Sequence, residues 1–487
     1  MNRTQLNLKE KTARGLLWGG ISNAAQQILN LFFGIYLARI LTVDDYGMVG
    51  VLTLFTAIAS SLQESGFISG LTNKKEVSNE DYNAVFWCSI IIGTTVYLLL
   101  FISAPLLADF YNIPELTPLA RYLFLSFLIS SFGTAHSAFL FRNLMVKQRA
   151  IALITALTIS GTLGVVMAYN GCGYWGIATQ TLIYVTVVTG MLWLFSKWRP
   201  SFTINLSPVK EILGFSSKIL FTNIFSHINT HVFSVFLGRF YTKHEVGLFG
   251  QANKWSLMGS SLVKEMVHSV AQPVLSNVSN DSERQQRVFK KMLQFTSFIS
   301  FPALFGLSLI AEDLIVVTIT DKWVASARLL SLLAIGGAFL PLSHLYINLI
   351  ISRGKSAVYM WGTIALGIVQ TSLLLITSPL GIYSMIAGYI GLNICWLFIW
   401  HILASRLLRV QLKDLLQSIL SYGFLSALIM YSTYLVTLQI RSPLYSLIVK
   451  IVIAAFCYFF VLFLFKNKIL MESYNYLREQ LQKNKKK

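Results

Sequence analysis

Apolar stretches of about 20 residues, the length a helix needs to cross a bilayer, recur along the whole chain with only short polar connections between them. The stretches are continuous and lack the period-two alternation of a membrane barrel, so they predict helices. Fourteen are read, at 15–40, 46–70, 82–108, 117–141, 149–169, 173–196, 213–238, 246–271, 288–311, 325–351, 356–377, 380–404, 415–438 and 443–465. Composition agrees. The 487 residues are 55% hydrophobic and 12% charged, against about 25% charged in soluble proteins. A soluble enzyme, a nucleic-acid-binding domain and a disordered chain are excluded.

The net charge of +19 is an orientation signal rather than a nucleic-acid footprint. With fourteen spans, 29 Lys and Arg fall on the side of the termini and 7 on the other. Both termini are therefore expected to be cytoplasmic in a multi-pass protein. The first apolar run is too long and too polar for a cleaved signal peptide. The four cysteines make no disulfide framework. The tail from Lys466 either lies on an anionic leaflet as an amphipathic helix or ends as a frayed basic segment.

An internal repeat organises the chain. LARILTVDDYGMVG at 37–50 recurs as LGRFYTKHEVGLFG at 237–250, and 11 of the 40 positions from Asn23 to Leu62 match at an offset of 200 without a gap. Six spans separate the copies, so both halves share one orientation, with an axis along the membrane normal. The expected fold is all-α: residues 1–200 form a lobe of spans 1–6, residues 201–408 a lobe of spans 7–12, and residues 409–487 add spans 13 and 14 and a basic cytoplasmic tail. Within the repeat, Thr42-x-x-Asp45 and Thr242-x-x-Glu245 read as capping boxes. Arg39 and Arg239 suit the negative ends of the preceding helices. The glycines permit close packing.

Polar residues inside apolar spans are costly and mark function. Asn23, Gln27 and Asn30 share one face of span 1. Asn223, His227 and Thr230 occupy the matching face of span 7, with His231 beside them. Span 8 carries Gln251, Lys254, Ser261, Glu265 and His268 on one face and Lys264 at its margin, while span 2 has only Glu64. These residues predict a cationic cavity between the lobes. The alternatives are hydrogen bonding within each lobe and a structural Lys–Glu pair. His136 and His344 are weaker cavity candidates that also fit packing roles, His401 is near the cytoplasmic end of span 12, Lys450 is near enough to the membrane edge to snorkel, and Asp313 suits an interface. No metal-ligand spacing, phosphate-binding loop or catalytic triad order is present in the sequence.

The span plan, the basic start KTARGLLWGG at 11–20 and the hairpin motif at 37–50 resemble the bacterial polysaccharide exporters, lipid-linked oligosaccharide flippases of the multidrug/oligosaccharidyl-lipid/polysaccharide superfamily. The resemblance implies a V-shaped pair of lobes in a bacterial inner membrane. It implies no enzyme activity, and a polyprenyl-diphosphate-linked glycan, for O-antigen, capsule or exopolysaccharide, as the molecule carried outward. Lys254 and Lys264 best match the family's cationic cavity, with Asn23, Gln27, Asn30, Asn223, His227, His231, Gln251 and Ser261 as further contacts. Glu265, His268 and Glu64 are the candidates for coupling to H+ or Na+, and no cofactor is implied. Expected partners are the bilayer and the pathway's glycan polymerase and glycosyltransferases. A cation-coupled multidrug antiporter of the same superfamily is the first alternative. A membrane-embedded glycan polymerase or ligase is the second, disfavoured because no long outer loop is visible.

Overall fold

A computed structural model describes residues 3–64, 67, 71, 74, 76–203, 205, 207–472, 474, 475 and 478, with the side chains of 3–16, 62–64, 209–221, 268 and 270 outside the description. The described residues are helical, with no strand among them. The helices are α1 (Arg3–Ile40), α2 (Val43–Gly50), α3 (Thr53–Glu64), α4 (Asn79–Tyr111), α5 (Leu116–Ser131), α6 (Thr134–Arg142), α7 (Val146–Tyr169), α8 (Tyr174–Phe195), α9 (Ser207–Phe240), α10 (Lys243–Asn277), α11 (Ser282–Ile319), α12 (Val324–Gly337), α13 (Leu340–Ser352), α14 (Ser356–Thr377), α15 (Ile382–Ser405), α16 (Leu412–Ser418), α17 (Leu425–Thr437) and α18 (Pro443–Leu464). Among the described residues, ten segments are long and apolar enough to cross a membrane, or eleven if α5 and α6, bent by 45°, form one span. The other long helices are α1, α9 and α10, which carry the polar stripes and fall short of that test on composition.

The chain forms two compact units, Met1–Gly247 and Leu248–Lys487. In the first, α1 packs on α7, α7 on α8, α8 on α5 and α5 on α4. Small residues allow the close contacts that lipid-immersed helices rely on: the ring of Phe33 lies directly against Gly161. Hydroxyls join the helices, with Tyr122 and Thr179 at 3.0 Å and Ser89 donating to the Ser131 carbonyl at 3.1 Å. The helix α9 belongs to this unit because it packs on α3 and α4. His136 is fully buried between Trp193 and Trp198, at ring distances of 4.3 and 5.1 Å. Among the described residues neither of its ring nitrogens has a hydrogen-bond partner, which makes it a packing residue.

In the second unit α11 is central, packed on α12, α17 and α18. Ser300 donates to the Ala338 carbonyl at 2.7 Å and Tyr458 to the Phe298 carbonyl at 2.9 Å. Lys450 does not reach outward to water. It donates to Asp313 at 2.7 Å, and Ser446 donates to the same carboxylate oxygen at 2.8 Å. The two charged side chains are only 12% and 13% exposed. Pairing across α11 and α18 spares both groups the cost of standing alone in a low dielectric. Lys450→Met is expected to destabilise the chain by about 3 kcal/mol, because it strands Asp313. Adding Asp313→Asn should recover most of that loss in detergent unfolding curves.

Residues 467–472, after α18, dock on this unit. Ile469 is buried, Asn467 donates to the Tyr422 hydroxyl at 3.2 Å, and Glu472 pairs with Lys291 at 2.5 Å. The hydrogen bond from Lys291 holds the Glu472 carboxyl below its ordinary value of 4.5. A lowered carboxyl pKa favours the docked state above the ordinary value and loses that contribution as pH falls through the lowered one. Protection of the amides in 467–472 relative to their intrinsic exchange rates is therefore expected to fall as the pH drops below 4.5. Unchanged protection there would show that the pair does not hold the tail.

Candidate functional site

The site begins at the repeated hairpin, whose local chemistry is clearest at Asp45. Thr42 caps α2, and Asp45 returns the favour in a full capping box. One oxygen of the carboxylate accepts from the Thr42 backbone N–H at 2.9 Å and from its hydroxyl at 2.6 Å. The other accepts from the Tyr174 N–H at 2.9 Å, so Asp45 also anchors the start of α8. In the second copy, Glu245 accepts from both the Thr242 backbone N–H and its hydroxyl.

The two copies meet within the first unit. A Cβ placed on Gly47 would fall on the Lys243 carbonyl, and one on Gly247 would fall on the Val43 carbonyl. Val43 and Lys243 are themselves 200 residues apart, as are Gly47 and Gly247. Each contact is thus the repeat image of the other, the pattern of a local two-fold axis. Asp44 and its repeat mate His244 face each other at 2.9 Å, and Lys243 stands 4.0 Å from Asp44. Beside the junction, Arg239 donates to the Phe110 carbonyl with its guanidinium 5.1 Å from the Phe110 ring.

From this junction the polar stripes extend. On α1, Asn23, Gln27 and Asn30 are exposed. On α9, Asn223, His227 and His231 are half-buried, and the two imidazoles stack at 6.2 Å. These stripes belong to the first unit, where α1 packs on α7 and α9 on α3 and α4.

On α10, Lys254 and Glu265 are exposed and Lys264 and Ser261 half-buried. At 100° per residue, Ser261 and Glu265 each point within about 20° of Lys254, on opposite sides of it, and Lys264 about 80° from Lys254. Ser261 donates to the Met258 carbonyl at 3.0 Å. Gln251 is buried, and among the described residues its amide nitrogen has no partner. The side chains of Glu64 and His268 lie outside the described residues. All four α10 side chains from Lys254 to Glu265 belong to the second unit.

Two recesses in the second unit are absent from the sequence reading. An apolar groove of about 620 Å³ runs between α10, α11 and α18, with Gly259, Met266, Pro302, Gly306 and Phe459 in its wall. A second recess of about 800 Å³ lies among α11, α12, α15, α17 and α18. Grooves of this kind are made by small residues on helices far apart in sequence, which leaves no local signal. Among the described residues, no cluster of three metal-ligating side chains occurs.

Comparison with known proteins gives a consistent answer. The family model described as "Polysaccharide biosynthesis protein" matches residues 36–328. The lipopolysaccharide biosynthesis protein WzxC of Escherichia coli K12 is 23% identical over 85% of this chain and 83% of its own. The succinoglycan biosynthesis transport protein ExoT of Rhizobium meliloti is 24% identical over 75% and 74%. Among solved structures, the lipid II flippase MurJ in an inward closed conformation superposes with a TM-score of 0.76 at 17% identity, over 93% of this chain and all of that one. The last likeness bears on the fold.

Proposed function

Because the chain belongs to the polysaccharide biosynthesis protein family, we propose that it flips a lipid-linked oligosaccharide, carried on a polyprenyl diphosphate, from the cytoplasmic to the outer leaflet. The observation that carries the reading is the lysine-bearing face of α10, because two lysines in one long helix of so apolar a chain need a functional partner. A diphosphate is such a partner, since it offers several charged acceptors to ammonium donors. Two lobes, spans 1–6 and 7–12, rock in alternation, and spans 13 and 14 flank the lipid. Asn23, Gln27, Asn30, Asn223, His227 and His231 offer donors and acceptors to sugar hydroxyls. The 29-to-7 split of basic residues supports cytoplasmic termini in the inner membrane. Glycosyltransferases that build the lipid-linked unit and a polymerase that consumes it are the pathway partners.

The membrane potential supplies a driving force. An interior negative by 100 mV favours outward movement of each negative charge by about 2.3 kcal/mol. A diphosphate gains roughly 4 kcal/mol if the protein's own charges stay in place. Glu265, His268 and Glu64 are the groups through which H+ or Na+ would reset the empty carrier.

Reconstitution tests the reading. Proteoliposomes holding a labelled polyprenyl-diphosphate glycan should expose it to an added impermeant glycosidase far faster than protein-free vesicles do. Equal rates would overturn the assignment. A cationic drug accumulating in place of the glycan would favour the antiporter branch.

A further inference from the structure

The recess of about 800 Å³ in the second unit has a charge pattern that the flippase reading does not use. Its mouth is formed where α11 and α17 end and where α12, α15 and α18 begin, so the helix ends around it lie at one end of the bundle. A hydrogen bond of 2.8 Å between Ser308 and Ser331 sets the register of the antiparallel pair α11 and α12. Glu312 follows Ser308 by one turn, and Arg328 precedes Ser331 by nearly one. Both therefore stand about 4.5–6 Å further toward the mouth, on facing helices. Both are exposed, and among the described residues neither has a hydrogen-bond or ion-pair partner. The other cation in the wall, Lys450, is committed to Asp313. The recess thus presents one unpaired cation and one unpaired anion.

Three tyrosines, Tyr383, Tyr431 and Tyr434, complete the rim, each about half exposed or more. Tyrosine collects where a membrane meets water, and its ring face attracts ammonium groups. The recess adjoins the apolar groove, because Leu309, Met430 and Lys450 line both. A chamber with one charge of each sign on largely apolar walls therefore lies beside an apolar channel.

We propose that this recess is a binding site for a zwitterionic aminophospholipid of the phosphatidylethanolamine type, distinct from the lysine face of α10. Arg328 takes the phosphate. Glu312 and the tyrosine rings take the ammonium, and an acyl chain follows the groove past Met430. The charge balance selects the class. An anionic lipid satisfies Arg328 and is repelled by Glu312, and a diphosphate-linked glycan is repelled more strongly still. The volume falls in the usual range for small-ligand sites.

Lipid retention on the purified full-length protein, read by native mass spectrometry with phosphatidylethanolamine and phosphatidylglycerol at equal concentration, tests the site. The intact chain should retain phosphatidylethanolamine at least about fivefold over phosphatidylglycerol. Glu312→Gln should reverse that preference, since it leaves a lone cation. Arg328→Gln should lower retention of both lipids about fivefold. The side chains are exposed and unpaired, so both variants should remain monodisperse. If Arg328→Gln does not fold, the reversal in Glu312→Gln decides alone. An unchanged preference in Glu312→Gln, a preference for phosphatidylglycerol in the intact chain, or displacement of phosphatidylethanolamine by stoichiometric polyprenyl-diphosphate glycan would each overturn the proposal. The flippase assay does not enter this test, so the two readings can fail separately.

Discussion

Gly47→Ala is expected to destabilise the junction of the two repeats by about 3 kcal/mol, the upper end of overpacking costs, and so to lower the population with the junction formed more than 100-fold. The obstacle is the Lys243 carbonyl, which is backbone and has no rotamer to move. Gly247→Ala should behave alike, because it meets the Val43 carbonyl in the repeat-related contact. Gly250 supplies the control. It is the image of Gly50, yet a Cβ there meets nothing within 4 Å, whereas one on Gly50 lies 2.9 Å from Val246. Since alanine is favoured over glycine inside a helix, Gly250→Ala should be neutral or stabilising by up to about 1 kcal/mol. Melting curves in detergent discriminate. If Gly47→Ala and Gly250→Ala melt together, the two backbones do not touch.

This contrast marks the boundary between what a linear pattern reveals and what it hides. The offset of 200 made the paired glycines visible, and the Thr-x-x-acid spacing announced the capping box on α2 and the Thr242–Glu245 contact at the start of α10. Local helix chemistry is written in neighbouring residues. That Asp44 would face His244 is a tertiary fact, because nothing near either residue names a partner 200 positions away. The same blindness covers Lys450 and Asp313, which looked like two separate interfacial charges and are one pair across α11 and α18. The bend between α5 and α6 at Phe132 and Gly133 and the π-helical stretch Ile419–Phe424 were also illegible, since the apolar runs continue through both. The polar faces of α1, α9 and α10 were legible for the opposite reason. A polar stripe in an apolar chain stands out by composition alone, although nothing in it says which ligand it meets.

Removing both lysines of α10, as Lys254→Ala with Lys264→Ala, is expected to slow glycan flipping by about 100-fold or more. A hydrogen bond to a charged group contributes about 1.5–3 kcal/mol, so two lost together exceed the 2.8 kcal/mol that a hundredfold requires. The single changes should differ. Lys254 is exposed and aligned with Ser261 and Glu265, whereas Lys264 is half-buried and turned about 80° aside. Lys254→Ala alone should therefore carry the larger share. Glu265→Gln should act in the other direction on binding, because it removes a negative charge from the face that receives a diphosphate. If Glu265 also returns a proton or sodium ion, the same change tightens glycan binding while slowing turnover, a split that a merely structural glutamate would not produce. Lys450→Met serves as the reference for damage by stability alone: it should lower the yield of folded protein and leave the rate per folded molecule intact. Full flipping by the Lys254→Ala, Lys264→Ala protein would remove α10 as the receiving face, since no other side chain of that helix from Lys254 to Lys264 carries a positive charge.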